Sequence, residues 1–254
     1  MRRREPTPVA TVSVIIPAWN EGTRLPRLLD ALAACRPAPI EVIVADGGST
    51  DDTVARTLER LHPVGGAGAA APPPTRVVRA PRGRAAQQNG GAACARGDVL
   101  WFLHADSVPG PEAVGEVAVA IAAGAPGGCF QIGFPPAEAA RHPLLPLIAR
   151  GINARARWTR TGTGDQGIFL RRDVFTRLGG FPDWPLFEDV ALFRALARTG
   201  RPAICRGPLL TSARRWLAEG VVRTMTRMWL LRAAYAVGVP PARLARWWRA
   251  APAA

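Results

Sequence analysis

The chain has 254 residues, 48% of them apolar, and a formal net charge of +14. That length allows one large α/β domain or one domain with a small appendage, and the apolar share is enough for a substantial core. Every one of the 33 basic residues is arginine. They are dispersed and form no recognised nucleic-acid module, so part of the charge is what a GC-rich coding sequence gives. The remainder points to a nucleotide diphosphate, a lipid phosphate or a bilayer surface, and no nucleic-acid partner is expected.

Met1–Pro8 is charged, and no signal-like apolar stretch follows it. Val12–Ile16 is a β-branched run closed by Pro17, the pattern of a buried strand. Thr23–Cys35 places Leu25, Leu28, Leu29 and Leu32 at the spacing of an amphipathic helix. Ile40–Ala45 predicts a second buried strand and Asp46–Thr50 a turn. Asp51–Leu61 predicts a helix whose acidic start suits the helix dipole. His62–Thr75 is a Gly/Ala/Pro stretch without periodicity and reads as a flexible surface insertion remote from any cleft. Arg76–Arg79 predicts a third strand, and Arg84–Arg96 a helix despite Gly90 and Gly91. Val99–His104 predicts a fourth buried strand, ending at Asp106.

Strands alternating with helices from residue 12 to about residue 124 imply a parallel sheet with crossover helices. Ligands of such sheets bind at the carboxyl ends of the strands. The second half is less regular. It predicts a strand over Gly128–Phe134, a helix over Leu144–Trp158 and a short strand over Gly167–Leu170. Helices follow over Glu188–Arg198, Trp216–Val237 and Arg243–Arg249. No run reaches the roughly 18 apolar residues of a membrane span. Cys35, Cys94, Cys129 and Cys205 form no CxxC pair, so zinc is not expected and a reduced, cytoplasmic chain is.

Five polar residues, Asn20, Glu21, Asp46, His104 and Asp106, follow predicted strand ends, where one crevice could collect them. Pro17, Asn20 and Glu21 at a strand-to-helix junction could frame a base and ribose, or simply cap the helix. In Asp46-Gly47-Gly48-Ser49-Thr50-Asp51 the glycines allow a tight turn and close ligand approach. There Asp46 is placed to accept hydrogen bonds from a nucleoside. His104 and Asp106 are two residues apart and share a face if the chain stays extended. A carboxylate with open coordination suits Mg²⁺ or Mn²⁺ bridged to a diphosphate, and an adjacent imidazole favours Mn²⁺. Glu188 and Asp189 open a helix with apolar periodicity, where acids suit the dipole. Asp165 and Gln166 sit in a Gly-rich loop that could adapt to an acceptor.

Taken together, Pro17-Ala18-Trp19-Asn20-Glu21, Asp46-Gly47-Gly48-Ser49-Thr50-Asp51 and the acid after the fourth strand resemble the family 2 glycosyltransferases of GT-A fold. Arg84-Ala85-Ala86-Gln87-Gln88-Asn89-Gly90-Gly91-Ala92 and His104-Ala105-Asp106 are similar to a bacterial subgroup of that family, in which His-Ala-Asp stands where DxD is usual. The resemblance implies that Pro17, Asn20, Glu21, Asp46, Gly47 and Ser49 hold the nucleoside. Asp106, with His104, would hold Mn²⁺ or Mg²⁺ and the diphosphate. Arg84 and Asn89 would lie near the donor pocket, and Asp189, with Glu188 beside it, would be the catalytic base.

Ser212-Ala213-Arg214-Arg215-Trp216 resembles the QxxRW element of processive synthases, with Ser212 in place of Gln. It offers Arg215 to the diphosphate and Trp216 to the acceptor region. The implied enzyme transfers a sugar from a nucleotide-sugar donor to an acceptor hydroxyl, small or lipid-linked, with inversion and without processivity. The expected organisation is a GT-A unit over 10–212, with a donor half over 1–125 and an acceptor half over 126–212, then a helical extension over 213–254. Trp229, Trp247 and Trp248 with Arg243, Arg246 and Arg249 read first as core packing and second as contact with the inner membrane face. Two other readings compete. A pyrophosphorylase is suggested by Gly22-Thr23-Arg24-Leu25-Pro26, but the chain lacks the Gly-rich lead-in and any Lys. A non-catalytic nucleotide-sugar-binding protein would have no need of the Glu188-Asp189 pair.

Overall fold

The computed structural model describes residues 10–60 and 72–249. The predicted insertion falls mostly on residues outside that set. The chain begins with β1 (Val12–Ala18), α1 (Leu25–Ala33), β2 (Glu41–Asp46), α2 (Thr53–Glu59), β3 (Thr75–Arg79), α3 (Arg84–Cys94), β4 (Val99–Phe102) and α4 (Ala113–Ala122). It continues with β5 (Gly127–Gly133), α5 (Pro136–Ala139), α6 (Leu144–Thr159), β6 (Phe169–Arg171), α7 (Arg172–Arg177) and α8 (Glu188–Thr199). It closes with β7 (Ala203–Leu210), α9 (Arg214–Glu219), α10 (Val221–Ala236) and α11 (Pro241–Arg249). The strands form one seven-stranded sheet in the order β3-β2-β1-β4-β6-β5-β7.

β1 pairs in parallel with both β2 and β4, and β3 pairs in parallel with β2. Successive side chains of a strand point to opposite faces. Val14 and Ile16 therefore pack with Leu25, Leu28 and Trp101 on one side. Ile15 packs with Leu100, Phe102 and Phe193 on the other. A sheet covered on both faces favours apolar residues at nearly every position, and the polar residues near the starts of β1 and β2 bond each other, the Ser13 hydroxyl donating to Glu41 Oε1 at 2.7 Å.

β6 departs from the parallel rule and runs antiparallel to β4 and β5. β7 is absent from the sequence reading because Pro202, Gly207 and Pro208 punctuate it. It lies at the sheet edge, where proline is tolerated. Its register against β5 shifts between Phe130 and Gln131, and the Glu116 carboxylate accepts the N–H groups of Arg206 at 2.9 Å and Gly207 at 3.1 Å. The long helix predicted over Trp216–Val237 is two helices. Gly220, at φ +87°, turns the chain between α9 and α10.

From β1 the chain builds outward to β2 and β3, then returns to place β4 on the other side of β1. That reversal leaves a crevice at the carboxyl ends of β1 and β4, the ligand position in open α/β sheets.

Candidate active site

On the β2 side of the crevice, Ala18 and Asp46 are paired across the strand ends. Asp46 is buried, and its carboxylate serves its own turn. It accepts N–H groups from Gly48 at 3.0 Å and Ser49 at 3.1 Å, and the Ser49 hydroxyl at 2.5 Å. Ser49 Oγ also accepts the Asn20 N–H at 3.0 Å, and Asn20 Oδ1 accepts the Thr50 N–H at 2.9 Å. Asn20 sits at φ +54°, a conformation that asparagine tolerates better than most residues. Asp46 thus closes its own turn: a tight turn exposes several N–H groups, and the nearest carboxylate takes them.

Gln87, which the sequence reading did not single out, donates from Nε2 to Ala18 O at 2.7 Å and Ala45 O at 2.9 Å, tying β1 to β2 just below the turn. Gly47 and Gly48 border a shallow cavity of about 400 Å³ with Arg79, Ala80 and Pro81. Close by in sequence, the Arg82 guanidinium lies 3.6 Å from the centre of the exposed Trp19 ring.

At the other wall, β4 ends at Phe102 and the chain turns. The Ser107 N–H donates to His104 O at 3.0 Å. The shared extended face expected for His104 and Asp106 is therefore replaced by a turn carrying both. His104 Nε2 is shielded from solvent and has no hydrogen-bond partner. Burial, and next the Arg84 charge, push the His104 pKa down to about 4, which leaves the imidazole neutral. Asp106 makes no hydrogen bond or ion pair among the described residues.

Two further segments close on His104. The Gly164 N–H donates to Asp189 Oδ2 at 2.6 Å, while Asp189 Oδ1 takes the Val190 N–H of its own helix at 2.7 Å. Asp189 therefore takes an N–H in the first turn of α8 and also reaches out of the helix. A side chain on Gly164 would begin 2.8 Å from His104 Nε2 and 3.2 Å from Asp189 Oδ2. The 3-10 turn over Gly164–Gln166 thus brings the β4 end and the α8 start together.

Glu188 is buried and ion-paired with Arg84 at 3.3 Å. Desolvation raises the Glu188 pKa, and the Arg84 charge opposes that rise. Desolvation also works against the Arg84 charge. The carboxylates of Glu188, Asp189, Asp165 and Asp106, in that order, outweigh it.

Other expected site residues are occupied by structure. Gln166 is fully buried: Nε2 donates to Phe130 O at 3.0 Å, and Oε1 accepts from Arg155 at 3.2 Å and Thr163 at 3.2 Å. These bonds brace the loop. Asp165, half-exposed beside it, accepts the Thr163 hydroxyl. Trp216 is half-buried against the cluster of Leu145, Ala149, Ala213 and Val221. Arg215 lies 3.9 Å from Glu219 and 4.8 Å from the Trp248 ring centre. Glu21 takes Arg24 at 2.9 Å and Arg214 at 3.5 Å, linking the β1 loop to α9.

Asn89 donates to Phe181 O at 2.8 Å and accepts the Phe181 N–H at 2.9 Å, so both edges of its amide lock a loop onto α3. Replacing it by alanine strands two backbone groups, each worth about 1–3 kcal/mol when unsatisfied. Asn89→Ala is expected to lower the urea midpoint of unfolding and leave nucleotide affinity unchanged. Weaker nucleotide binding at undiminished stability would restore the donor role.

A mostly parallel seven-stranded sheet flanked by helices, with polar loops gathered at its topological switch point, is the GT-A class of nucleotide-sugar enzymes. The chain belongs to glycosyl transferase family 2, whose family model matches residues 13–179. It is 39% identical over 122 residues to an uncharacterised glycosyltransferase of Mycobacterium tuberculosis, covering 47% of this chain and 43% of that protein. It is 36% identical over 124 residues to validoxylamine A glucosyltransferase of Streptomyces hygroscopicus subsp. limoneus, covering 46% of this chain and 25% of that protein. The match thus spans less than half the length of these curated relatives. Among solved structures, the mannosyltransferase PcManGT from Pyrobaculum calidifontis, in complex with GDP-Man and Mn²⁺, superposes with a TM-score of 0.59 at 20% identity. That superposition covers 96% of this chain and 72% of the other.

Proposed function

We propose that the protein transfers a sugar from a nucleoside-diphosphate donor to an acceptor hydroxyl by a single inverting displacement, and that it is non-processive. In that reading it belongs to the subgroup in which His104-Ala105-Asp106 stands for DxD, with 10–212 as the transferase unit and 213–254 as a helical extension. The observation that carries the proposal is the convergence of His104, Asp106, Arg84 and Asp189 at the switch point of the sheet. In this reading Asp189 is the general base, Arg84 the cation and His104 with Asp106 the metal-binding pair.

The residues fit a divalent ion shared with the diphosphate. His104 Nε2 is an orphaned polar atom, Asp106 is unpaired, and the described residues hold no group of three or more acids, His or Cys that would cage an ion alone. Such sharing with substrate phosphates is typical of Mg²⁺ and Mn²⁺ sites. When bound, the ion would neutralise charge building on the leaving diphosphate.

The protein's own residues supply the rest. The Asp46–Ser49 turn shapes the nucleoside side. Arg84, backed by the buried Glu188, faces the diphosphate. Asp189 takes the proton from the acceptor oxygen as that oxygen bonds to the anomeric carbon and the bond to the diphosphate breaks.

A thermal-shift panel of nucleotide sugars with Mn²⁺ and Mg²⁺, followed by a transfer assay, tests the proposal. A specific ligand at a hundred times its Kd adds about 2.7 kcal/mol of stability. Asp106→Ala is expected to abolish the metal-dependent part of that gain for UDP or GDP. An undiminished gain in Asp106→Ala would remove Asp106 from the site. The absence of a shift with any nucleotide would overturn the function.

A further inference from the structure

The C-terminal helices carry a feature that sugar transfer does not use. α10 is anchored on its inner side by the buried Val221, Thr224 and Leu231. Its outer side carries Val222, Thr226, Trp229, Leu230, Ala233 and Val237, all exposed and spaced as one stripe of a helix. Trp229 is 70% exposed, Leu230 66% and Val237 82%. Singly exposed apolar residues are ordinary, but a contiguous helical stripe marks a contact surface.

The charge beside the stripe is one-sided. Residues 213–254 contain eight arginines and one acid, Glu219. Glu219 is taken by Arg227 at 2.8 Å and approached by Arg215 at 3.9 Å. Arg223, one position from the stripe, is exposed, as are Arg243 and Arg246 on α11 next to the half-exposed Trp247. Trp248 is not part of this surface, because its ring lies under Arg227, 4.1 Å from the ring centre, and under Arg215.

We infer that this face docks on an anionic phospholipid surface. The stripe would enter the headgroup boundary, and Arg223, Arg243 and Arg246 would meet lipid phosphates. A second copy of the chain fits less well: it would bring arginines against arginines, with Glu219 already engaged. An anionic bilayer satisfies both features at once, as it does for interfacial helices with aromatic and leucine residues on one side and arginine at the rim. No helix among the described residues is long and apolar enough to cross a membrane.

The test is co-sedimentation of the full chain with vesicles of phosphatidylcholine alone or with about a third phosphatidylglycerol. It reads binding, so it stands or falls apart from the transfer reaction. Binding is expected to the anionic vesicles, to be much weaker on the neutral ones, and to fall as salt screens the arginines. The double variant Trp229→Ser, Leu230→Ser is expected to lose at least tenfold in partitioning, roughly what two lost apolar anchors imply. Its Tm is expected not to change, because both side chains already face solvent. The pair Arg223→Glu, Arg246→Glu is expected to lose about fivefold or more per site, on anionic vesicles only. Failure to bind anionic vesicles, or undiminished binding by both variants, overturns the inference. So does a dimer in sedimentation velocity that the Trp229/Leu230 variant dissociates while vesicles capture nothing.

Discussion

Asp189→Asn is expected to cut sugar transfer by roughly 10²–10⁴-fold, the range for a lost general base, while nucleotide and metal binding persist. The geometry favours this separation of effects. Asp189 Oδ2 accepts the Gly164 N–H at 2.6 Å, and an amide oxygen can keep that bond while losing basicity. The neighbouring acid behaves differently. Glu188 is 2% exposed and faces Arg84. Glu188→Gln removes the buried partner of Arg84, and its expected cost falls on donor affinity and stability rather than on the chemical step. Measuring kcat and donor Kd for both variants separates the roles. Full transfer by Asp189→Asn with loss in Glu188→Gln would move the base by one residue. Full transfer by both would return the role to Asp165 or another acid.

Gly164→Ala is expected to reduce transfer by about 10²-fold, through position rather than chemistry. Gly164 is not among the glycines at positive φ, so alanine meets no backbone strain there. Its new methyl would begin 2.8 Å from His104 Nε2 and 3.2 Å from Asp189 Oδ2, and both groups would have to move. A displacement approaching 1 Å at reacting groups costs about 10²-fold in rate. The overpacking itself costs about 1–3 kcal/mol, readable as a lower urea midpoint. Gly151→Ala is the control. It lies on α6 with nothing within 4 Å of the added carbon, and alanine there is expected to add up to about 1 kcal/mol of stability with transfer unchanged. If Gly164→Ala keeps wild-type rates, His104 and Asp189 do not act at a shared point.

β1, β2 and β4 were legible in the sequence because both faces of each are covered. Val12–Ile16 and Ile40–Ala45 are apolar but for Ser13 and Glu41, and Val99–Leu103 is apolar throughout, for that reason. The glycine turn after Asp46 and the acids opening α8 were equally plain, since turns and helix starts restrict residue type locally. β7 was not legible: an edge strand tolerates proline and a bulge, and its pairing with β5 depends on Glu116 from another element.

The chemistry divides the same way. The sequence by itself determined the alternating sheet and the set of polar residues that follow its strand ends; the strand order that makes the crevice is a property of the folded sheet. It could not determine which of those residues are free to act. Asp46, Asn89 and Gln166 look no different in sequence from Asp106, yet their polar atoms bond turn, loop and strand groups, while Asp106 makes no hydrogen bond or ion pair among the described residues. Glu188 and Asp189 are adjacent in sequence, but about 100° of helical rotation sends one into Arg84 and the other to Gly164. Hydrogen-bonding capacity is local to a residue, whereas its satisfaction depends on neighbours that only the folded chain brings within 3 Å or so.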